Sequence, residues 1–187
     1  ANDGPPFYGQ LQWSPDSKAL VAHRAELPIP RKITLVHSQR PAGQRFESIE
    51  YIKPGDDLPQ PELVIVRQDG HMLPLSRELY PQPFCPGGAI PLMWSADSRS
   101  LRFDYNARGH QLFRVLQADA QTGALRCLVE ERSPTFIDYT QKTWRHWLES
   151  SGELLWMSER SGHCHLWLVN AVEGGIKRQI TQGPWVV

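Results

Sequence analysis

A tryptophan followed by a turn rich in serine and aspartate occurs three times in the chain, and this repeat limits the fold more than any other feature. Trp13 precedes Ser-Pro-Asp-Ser, Trp94 precedes Ser-Ala-Asp-Ser, and Trp147 has a serine and a leucine at the same offsets. In each copy a leucine then opens an apolar run, as expected where a tight turn joins two strands. Trp94 and Trp147 lie 53 residues apart. The repeat therefore predicts a succession of similar β units.

Each unit contains four short apolar runs separated by turn-forming residues. A second turn in every unit carries a glycine, and these glycines, Gly70, Gly123 and Gly174, are spaced by 53 and 51 residues. Four antiparallel strands recurring at slightly more than the ~40–50 residues of common blades are typical of a β-propeller. We predict an all-β fold of consecutive four-stranded blades. The runs of the last unit are Trp144–Leu148, Glu153–Met157, His165–Val169 and Arg178–Thr181.

The repeated residues have a simple structural interpretation. Aspartate and serine side chains accept hydrogen bonds from backbone N–H groups in turns, and Pro15 presets φ in the first copy. The tryptophan is predicted to form an apolar wedge between neighbouring sheets, contributing ~2–3 kcal/mol when buried. Packing and turn formation therefore explain the repeat without assigning it a function.

The first unit is longer than the others. Trp13 and Trp94 are separated by 81 residues, 28 more than the later spacing, and the excess lies in residues 24–60. This segment contains two strand-like runs, Ile33–Ser38 and Ser48–Ile52, among prolines. We interpret it as a β excursion from one blade, because it is too short for a core of its own.

The predicted organisation is one partial propeller domain. Propellers close with four to eight blades, so three units predict a part of a longer propeller. Uncovered strand edges in such a part favour dimerisation or edge pairing. The predicted boundaries are residues 1–80 for the first blade with its insertion, 81–133 for the second, 134–182 for the third and 183–187 for the start of a further blade.

Composition excludes several classes of function. The 187 residues contain 20 Lys and Arg against 20 Asp and Glu, so there is no basic surface to favour nucleic acid as a partner. No apolar run approaches the roughly 18 residues of a membrane span. Cys85, Cys127 and Cys164 have no CxxC spacing, which favours free thiols over a zinc site or disulfide framework. We predict no metal and no cofactor.

Several stretches resemble the dipeptidyl peptidase IV branch of the prolyl oligopeptidase-like serine peptidases. Family members typically read close to SERDGWNHLYLYD and QITKGPWVV where this chain reads SERSGHCHLWLVN and QITQGPWVV. The match extends over nearly the whole chain. It departs from the family pattern at Ser161, His163, Cys164 and Trp167. The other matching stretches are Trp13-Ser-Pro-Asp-Ser, Tyr51-Ile-Lys-Pro-Gly-Asp with Glu62-Leu-Val, and Phe103-Asp-Tyr-Asn-Ala-Arg-Gly-His-Gln.

The resemblance implies an eight-bladed N-terminal propeller that caps an α/β-hydrolase domain and restricts access to it. The implied enzyme is periplasmic or secreted and removes N-terminal dipeptides with proline or alanine in the second position. No Gly-x-Ser-x-Gly nucleophile motif occurs in the chain, so no catalytic residue is expected in this segment. The predicted partners are a peptide substrate and the hydrolase domain. A binding-only periplasmic propeller for protein interactions is the alternative.

Two positions are the predicted substrate-binding residues. By resemblance, Trp144 and Arg145 lie near the pocket for the substrate's first residue, where an arginine donates to a backbone carbonyl. The alternative is an arginine stacked on tryptophan as blade packing. Arg108, at a predicted hairpin tip, is expected to contact the hydrolase domain, the alternative being an exposed turn residue.

Three further groups of polar residues have structural interpretations. Glu130-Glu131 follows a predicted strand end and lacks the aromatic context of the family's amino-binding glutamate pair, so we interpret it as a solvated turn. His163 and His165 would share one face of a strand, but no third or fourth metal ligand is evident. Glu159-Arg160 is expected to pair locally at a hairpin.

Overall fold

The computed structural model describes residues 7–26, 29, 31–39, 43, 45–85 and 89–187, and all regular secondary structure among them is β. Strands form where β-branched and aromatic residues alternate between turns. Their bounds are β1 Phe7–Trp13, β2 Ala19–Glu26, β3 Lys32–His37, β4 Arg45–Glu50, β5 Gln60–Arg67, β6 Met72–Pro74, β7 Leu92–Trp94, β8 Ser100–Asn106, β9 Leu112–Asp119, β10 Leu125–Arg132, β11 Arg145–Leu148, β12 Glu153–Ser158, β13 His165–Asn170 and β14 Ile176–Gln179.

Twelve of these strands form three four-stranded antiparallel sheets, which we call the first, second and third blades. Their orders are β1-β2-β5-β6, β7-β8-β9-β10 and β11-β12-β13-β14. Within each sheet the strands follow chain order, so each blade is a meander, interrupted in the first by the β3–β4 insertion. The predicted class, consecutive blades of a β-propeller, is confirmed.

The insertion in the first blade forms a small sheet of its own. Strand β3 pairs with β4 from Lys32↔Glu50 to His37↔Arg45, and this two-stranded sheet joins neither β2 nor β5. Because β2 and β5 pair continuously out to Glu26↔Gln60, the excursion begins slightly later than the predicted residue 24. It extends from the end of a blade hairpin rather than interrupting a strand.

The first and second blades share an apolar core. It contains Val21 and Ile65 of the first blade and Leu101 and Phe103 of the second, each at most 2% exposed. Tyr80, from the connecting segment, packs edge-on against Phe103 and donates its hydroxyl hydrogen to the Leu75 carbonyl at 3.3 Å. Burial raises the pKa of Tyr80 to about 12, so its hydroxyl stays protonated as a donor.

The second and third blades are joined by charge as well as by apolar packing. Phe113 and Leu128 of the second blade pack with Trp156 and Val169 of the third. Around this core, three ion pairs each join a residue of the second blade to a residue of the third. They are Arg102–Glu149, Arg145–Asp104 and Arg160–Glu131.

Two glycines of the second repeated turn, Gly123 and Gly174, lie against the preceding blade. A Cβ on Gly123 would lie 3.2 Å from the side chain of Leu73 in the first blade, and one on Gly174 would lie 2.9 Å from the Cys127 carbonyl oxygen in the second. Both glycines have positive φ, at 73° and 87°. Close approach between blades, in addition to turn geometry, therefore favours glycine at Gly174, and at Gly123 a side chain would require Leu73 to move.

Residues 183–187 form no strand and instead fold back on the third blade. The ring nitrogens of buried His165 lie 3.1 Å from Thr181 Oγ1 and 3.0 Å from the Gly183 carbonyl oxygen, and the amide of Val187 donates to the Cys164 carbonyl at 3.0 Å. Their predicted place at the start of a further blade stays a prediction.

Candidate functional site

The meander places different connections at the two ends of the strands in each blade. The Trp-led turns and the glycine turns lie together at one end, which we call the turn end; the amide of Ala120 donates to the Arg99 carbonyl there at 2.9 Å. The opposite end, the link end, holds the β8–β9 and β12–β13 hairpin tips and the segments between blades. All three predicted site residues, Trp144, Arg145 and Arg108, belong to the link end or to the strand that begins there.

Trp144 is exposed immediately before β11. Its side chain is 47% exposed and its ring stacks on that of His146, with centroids 6.2 Å apart and planes 12° apart. Its carbonyl oxygen accepts a hydrogen bond from the Met157 amide at 2.9 Å, which fixes the backbone to β12. Two flat rings thus lie in a row on one face of an edge strand, where a ligand can stack on them.

Arg145 projects from the other face of β11 and forms an ion pair with Asp104 in the second blade. Because successive strand residues point to opposite faces, the Trp144 and Arg145 side chains lie on opposite sides of the chain at the start of β11. Trp147, which shares the Arg145 face, has the guanidinium of Arg102 over its ring at 3.9 Å. The arginine that stacks on a tryptophan here is Arg102, on Trp147, and not Arg145 on Trp144.

Asp104 is unusual for a paired carboxylate. Its Oδ1 atom is buried without a hydrogen-bond partner in the described part of the chain, as is the indole nitrogen of Trp147. Both residues line a cavity of about 50 Å³ between the blades. Burial raises the pKa of Asp104 although the adjacent Arg145 opposes that shift. Desolvation of the carboxylate therefore outweighs the attraction of the ion pair.

Arg108 is exposed at the β8–β9 hairpin tip. It lines a groove of about 500 Å³ together with Gln111, Arg132 and Pro134. Among the described residues, no carboxylate pairs with Arg108. Its charge is thus available to a partner at the link end.

The interpretation of Glu130-Glu131 as a solvated turn is wrong for Glu131. Both residues belong to β10, and Glu131 is only 8% exposed. Its Oε1 accepts a hydrogen bond from the Trp156 indole at 2.7 Å and pairs with Arg160. Glu131 lies two residues after Val129 and therefore on the same face of the strand. This two-residue period could have indicated from the sequence that Glu131 points inward. Glu131, Trp156 and Arg160 also line a cavity of about 420 Å³.

A second local expectation, the pairing of Glu159 with Arg160, is also wrong. Glu159 pairs with Lys142 at 2.7 Å rather than with its neighbour Arg160. His163 precedes β13, and its ring centroid lies 6.4 Å from that of His165, whose nitrogens are already bound to Thr181 and Gly183. In the described ranges, no three His, Cys, Asp or Glu side chains are grouped as metal ligands.

An aromatic cluster that the sequence did not reveal fixes the link before Trp144. The ring of His110, at the β8–β9 tip, stacks on Tyr139 at 4.5 Å and meets Phe84 edge-on at 4.6 Å and Phe136 at 5.5 Å. The Ile137 amide donates to the His110 carbonyl at 2.7 Å. The link therefore packs against the hairpin tip of the second blade, which holds the approach to β11 in place.

These blades and the ends they create define the chain as a β-propeller segment. Residues 8–187 match the sequence family described as the dipeptidyl peptidase IV (DPP IV) N-terminal region. The chain belongs to this family, as the resemblance implied. None of the residues described by the structure forms a helix long and apolar enough to cross a membrane.

Two solved structures of dipeptidyl peptidases have folds similar to that of this chain. The crystal structure of Porphyromonas gingivalis dipeptidyl peptidase 4 superposes with a TM-score of 0.67 and 19% identity over 95% of this chain. A putative dipeptidyl aminopeptidase IV from Bacteroides ovatus gives 0.60 and 20% over 94%. The aligned region covers 24% and 27% of those two chains, so this chain spans about a quarter of their length.

Proposed function

We propose that this chain is the non-catalytic propeller segment of a serine peptidase that releases dipeptides from peptide N-termini, with proline or alanine in the second position. The observation that carries the proposal is the family match over residues 8–187. The sequence has no Gly-x-Ser-x-Gly motif, so the acyl-transfer chemistry is assigned to a hydrolase domain elsewhere in the full-length protein. The blades restrict access to that domain, and the protein is periplasmic or secreted.

Trp144 is the residue best placed to contact the bound peptide in this proposal. Its exposed ring and that of His146 offer an apolar face at the start of β11. Arg145 uses part of its guanidinium on Asp104 and keeps further N–H groups that can donate to a peptide carbonyl. Both residues position the peptide and perform no bond chemistry.

Arg108 is proposed to contact the hydrolase domain through an ion pair. Its exposure at the link end and the neighbouring Arg132 support an acidic partner surface. Arg132 is already paired with Glu130 at 2.7 Å, so Arg108 carries the uncompensated charge. A rim contact of this kind contributes to orientation more than to affinity.

A homodimer is the second partner that we propose. The β3–β4 sheet carries exposed apolar side chains, with Val36 53% and Phe46 65% exposed. Two such ribbons can cover one another in a symmetric pair. Sedimentation velocity should show a dimer that Phe46→Ser weakens, and a protein that stays monomeric at high concentration would contradict it.

The alternative function is a binding-only periplasmic propeller that serves as a scaffold for other proteins. The family match favours the peptidase. The two readings differ in the full-length protein, because only the peptidase requires an α/β-hydrolase domain.

The test compares the full-length protein with this chain alone on a Gly-Pro chromogenic substrate. We expect turnover by the first and none by the second. Trp144→Ala in the full-length protein should raise KM several-fold with little change in kcat, because it removes a contact made equally in the ground and transition states. Tyr51→Ala, at a similarly exposed aromatic of the insertion, is the control. Turnover by this chain alone, or inactivity of the full-length protein, would contradict the proposal.

A further inference from the structure

A groove of about 670 Å³ separates the second and third blades at the turn end, away from Trp144. One wall is formed by strands β8, β9 and β10 of the second blade. The other is formed by turn residues of the third, including Glu149, Gly152 and Val172. The functions considered above do not use this groove.

Three polar side chains lie in a row across the wall formed by the second blade. Arg102 is the register partner of Gln117, and Gln117 is the register partner of Arg126 on the next strand. Residues directly opposite in neighbouring strands share a sheet face, so the row is Arg-Gln-Arg on the face toward the groove. The Nε–H of Arg102 donates to Gln117 Oε1 at 3.4 Å, and the amide N–H groups of Gln117 donate to no partner among the described residues.

The two arginines differ in how their charges are balanced. Arg102 binds both carboxylate oxygens of Glu149 and lies over the Trp147 ring. Arg126 donates one hydrogen bond, to the Ala171 carbonyl at 3.0 Å, and pairs with no carboxylate of the described chain. Burial, together with the charge of Arg102, lowers the pKa of Arg126. An anion beside Arg126 would oppose this shift, because an opposite charge favours the protonated guanidinium.

We propose that this groove binds a carboxylate group of a small ligand, with the guanidinium fork of Arg126 and the amide of Gln117 as donors. Planar guanidinium and carboxylate groups form two parallel hydrogen bonds, which matches the unused N–H groups of Arg126. The site is a feature of the turn end and does not depend on the peptidase proposal.

Besides Glu149, which is paired with Arg102, two carboxylates in the same groove limit the charge of the ligand. Asp97 accepts hydrogen bonds from the Ser95 hydroxyl at 2.6 Å and the Arg99 amide at 3.0 Å. Asp119 accepts three, from the Gln121 amide at 3.0 Å, the Thr122 amide at 2.7 Å and the Thr122 hydroxyl at 2.9 Å. Each has an oxygen outside these bonds. They repel a polyanion and accept from hydroxyl or ammonium groups. The ligand is therefore a monocarboxylate whose body carries such donors, as in a hydroxy acid or an amino acid.

The experiment titrates the protein with lactate, glycylproline, acetate and inorganic phosphate while NMR follows the arginine Nε–Hε signals. We expect lactate or glycylproline to shift the Arg126 signal with a Kd in the millimolar range, at least threefold tighter than acetate or phosphate. Tighter binding of lactate would indicate a ligand that carries a hydroxyl group, and tighter binding of glycylproline would indicate one that carries an ammonium group. Arg126→Gln should weaken binding at least tenfold, and Arg126→Lys should weaken it less because the charge is kept.

Arg178→Gln is the matched control, since Arg178 is an exposed arginine of β14 outside the groove. It should leave the titration unchanged. The Arg126 signal in the unmodified protein tests the proposal even where the variants fold poorly. Absence of any shift with all four probes, equal affinity for all of them, or equal weakening by Arg178→Gln and Arg126→Gln would overturn it.

Discussion

The indole N–H of Trp94 donates a hydrogen bond to the backbone carbonyl of Gln12 at 3.2 Å, joining the first turn of the second blade to that of the first. Trp94 is 7% exposed, whereas its repeat equivalent Trp13 is 58% exposed. Trp94 is thus an inter-blade wedge, as predicted, with a polar contact that the prediction did not include, whereas Trp13 is not buried against another blade of the described chain.

Trp94→Phe should therefore destabilise the protein by about 1–3 kcal/mol, because the Gln12 carbonyl loses its donor and the smaller ring leaves space. Trp13→Phe should change the free energy of unfolding by less than about 0.5 kcal/mol, as exposed substitutions usually do. Urea unfolding monitored by circular dichroism measures both. Equal losses for the two variants would show that the inter-blade contact is not what matters.

Substitutions at Gly174 and Gly175 can distinguish two effects on stability, the close approach between blades and the left-handed backbone conformation. Both have positive φ, at 87° and 91°, but only at Gly174 would a Cβ meet a backbone atom, the Cys127 carbonyl oxygen at 2.9 Å. Gly175→Ala should cost about 1 kcal/mol for the left-handed conformation alone. Gly174→Ala should cost at least about 1 kcal/mol more, because a carbonyl in a strand cannot move aside freely. Thermal unfolding of the two variants at one pH gives the comparison.

The grouping of strands could be predicted from the sequence because it depends on local turn chemistry. Trp94 with its Ser-Ala-Asp-Ser turn and Gly123 with its neighbours fix where strands end, and the chain can then only pair as a meander. What Gly123 touches was not predictable, because its neighbour Leu73 lies in another blade. The repeat indicated where the glycine occurs in the turn but not which residue of the neighbouring blade it contacts.

The charged contacts were predicted poorly for a related reason. Asp104 and Arg145 are 41 residues apart and pair across two sheets, so neither is marked by its own neighbours in sequence. Glu131 could have been placed inside from the strand period, but a charge pair after an apolar run also fits a surface turn. Contacts between blades can therefore be predicted only when the packing of the sheets is known, whereas the turns within a blade can be predicted from the sequence alone.

Glu131→Gln tests the buried charge at the second interface. The glutamine oxygen can still accept from the Trp156 indole, so the main change is loss of the charge that balances Arg160. We expect a loss of about 1–3 kcal/mol in urea unfolding, since an incompletely compensated cation remains in a partly buried site. Glu130→Gln, at an exposed network with Arg114 and Arg132, should cost under about 1 kcal/mol. A larger effect for Glu130→Gln would contradict the assignment.

The pH dependence of stability should have opposite signs for two aspartates of the second blade. Burial raises the pKa of Asp104 above its ordinary 3.8, so the folded protein retains this proton where the unfolded chain has released it. Its favourable contribution is complete below the ordinary pKa and is lost as the pH rises through the folded pKa. Hydrogen bonds from the Ser95 hydroxyl and the Arg99 amide lower the pKa of Asp97, so its contribution is present above the ordinary value and lost as the pH falls.

Asp104→Asn and Asp97→Asn remove these two ionisations one at a time. As the pH rises from about 3 to 7, the unmodified protein should lose stability relative to Asp104→Asn and gain it relative to Asp97→Asn, following the proton-linkage relation. Urea unfolding at four or five pH values measures both differences. If the difference for Asp104→Asn instead grows with pH, the ion pair with Arg145 outweighs desolvation. Asp104 would then stabilise the blade interface as a charge rather than as a buried acid.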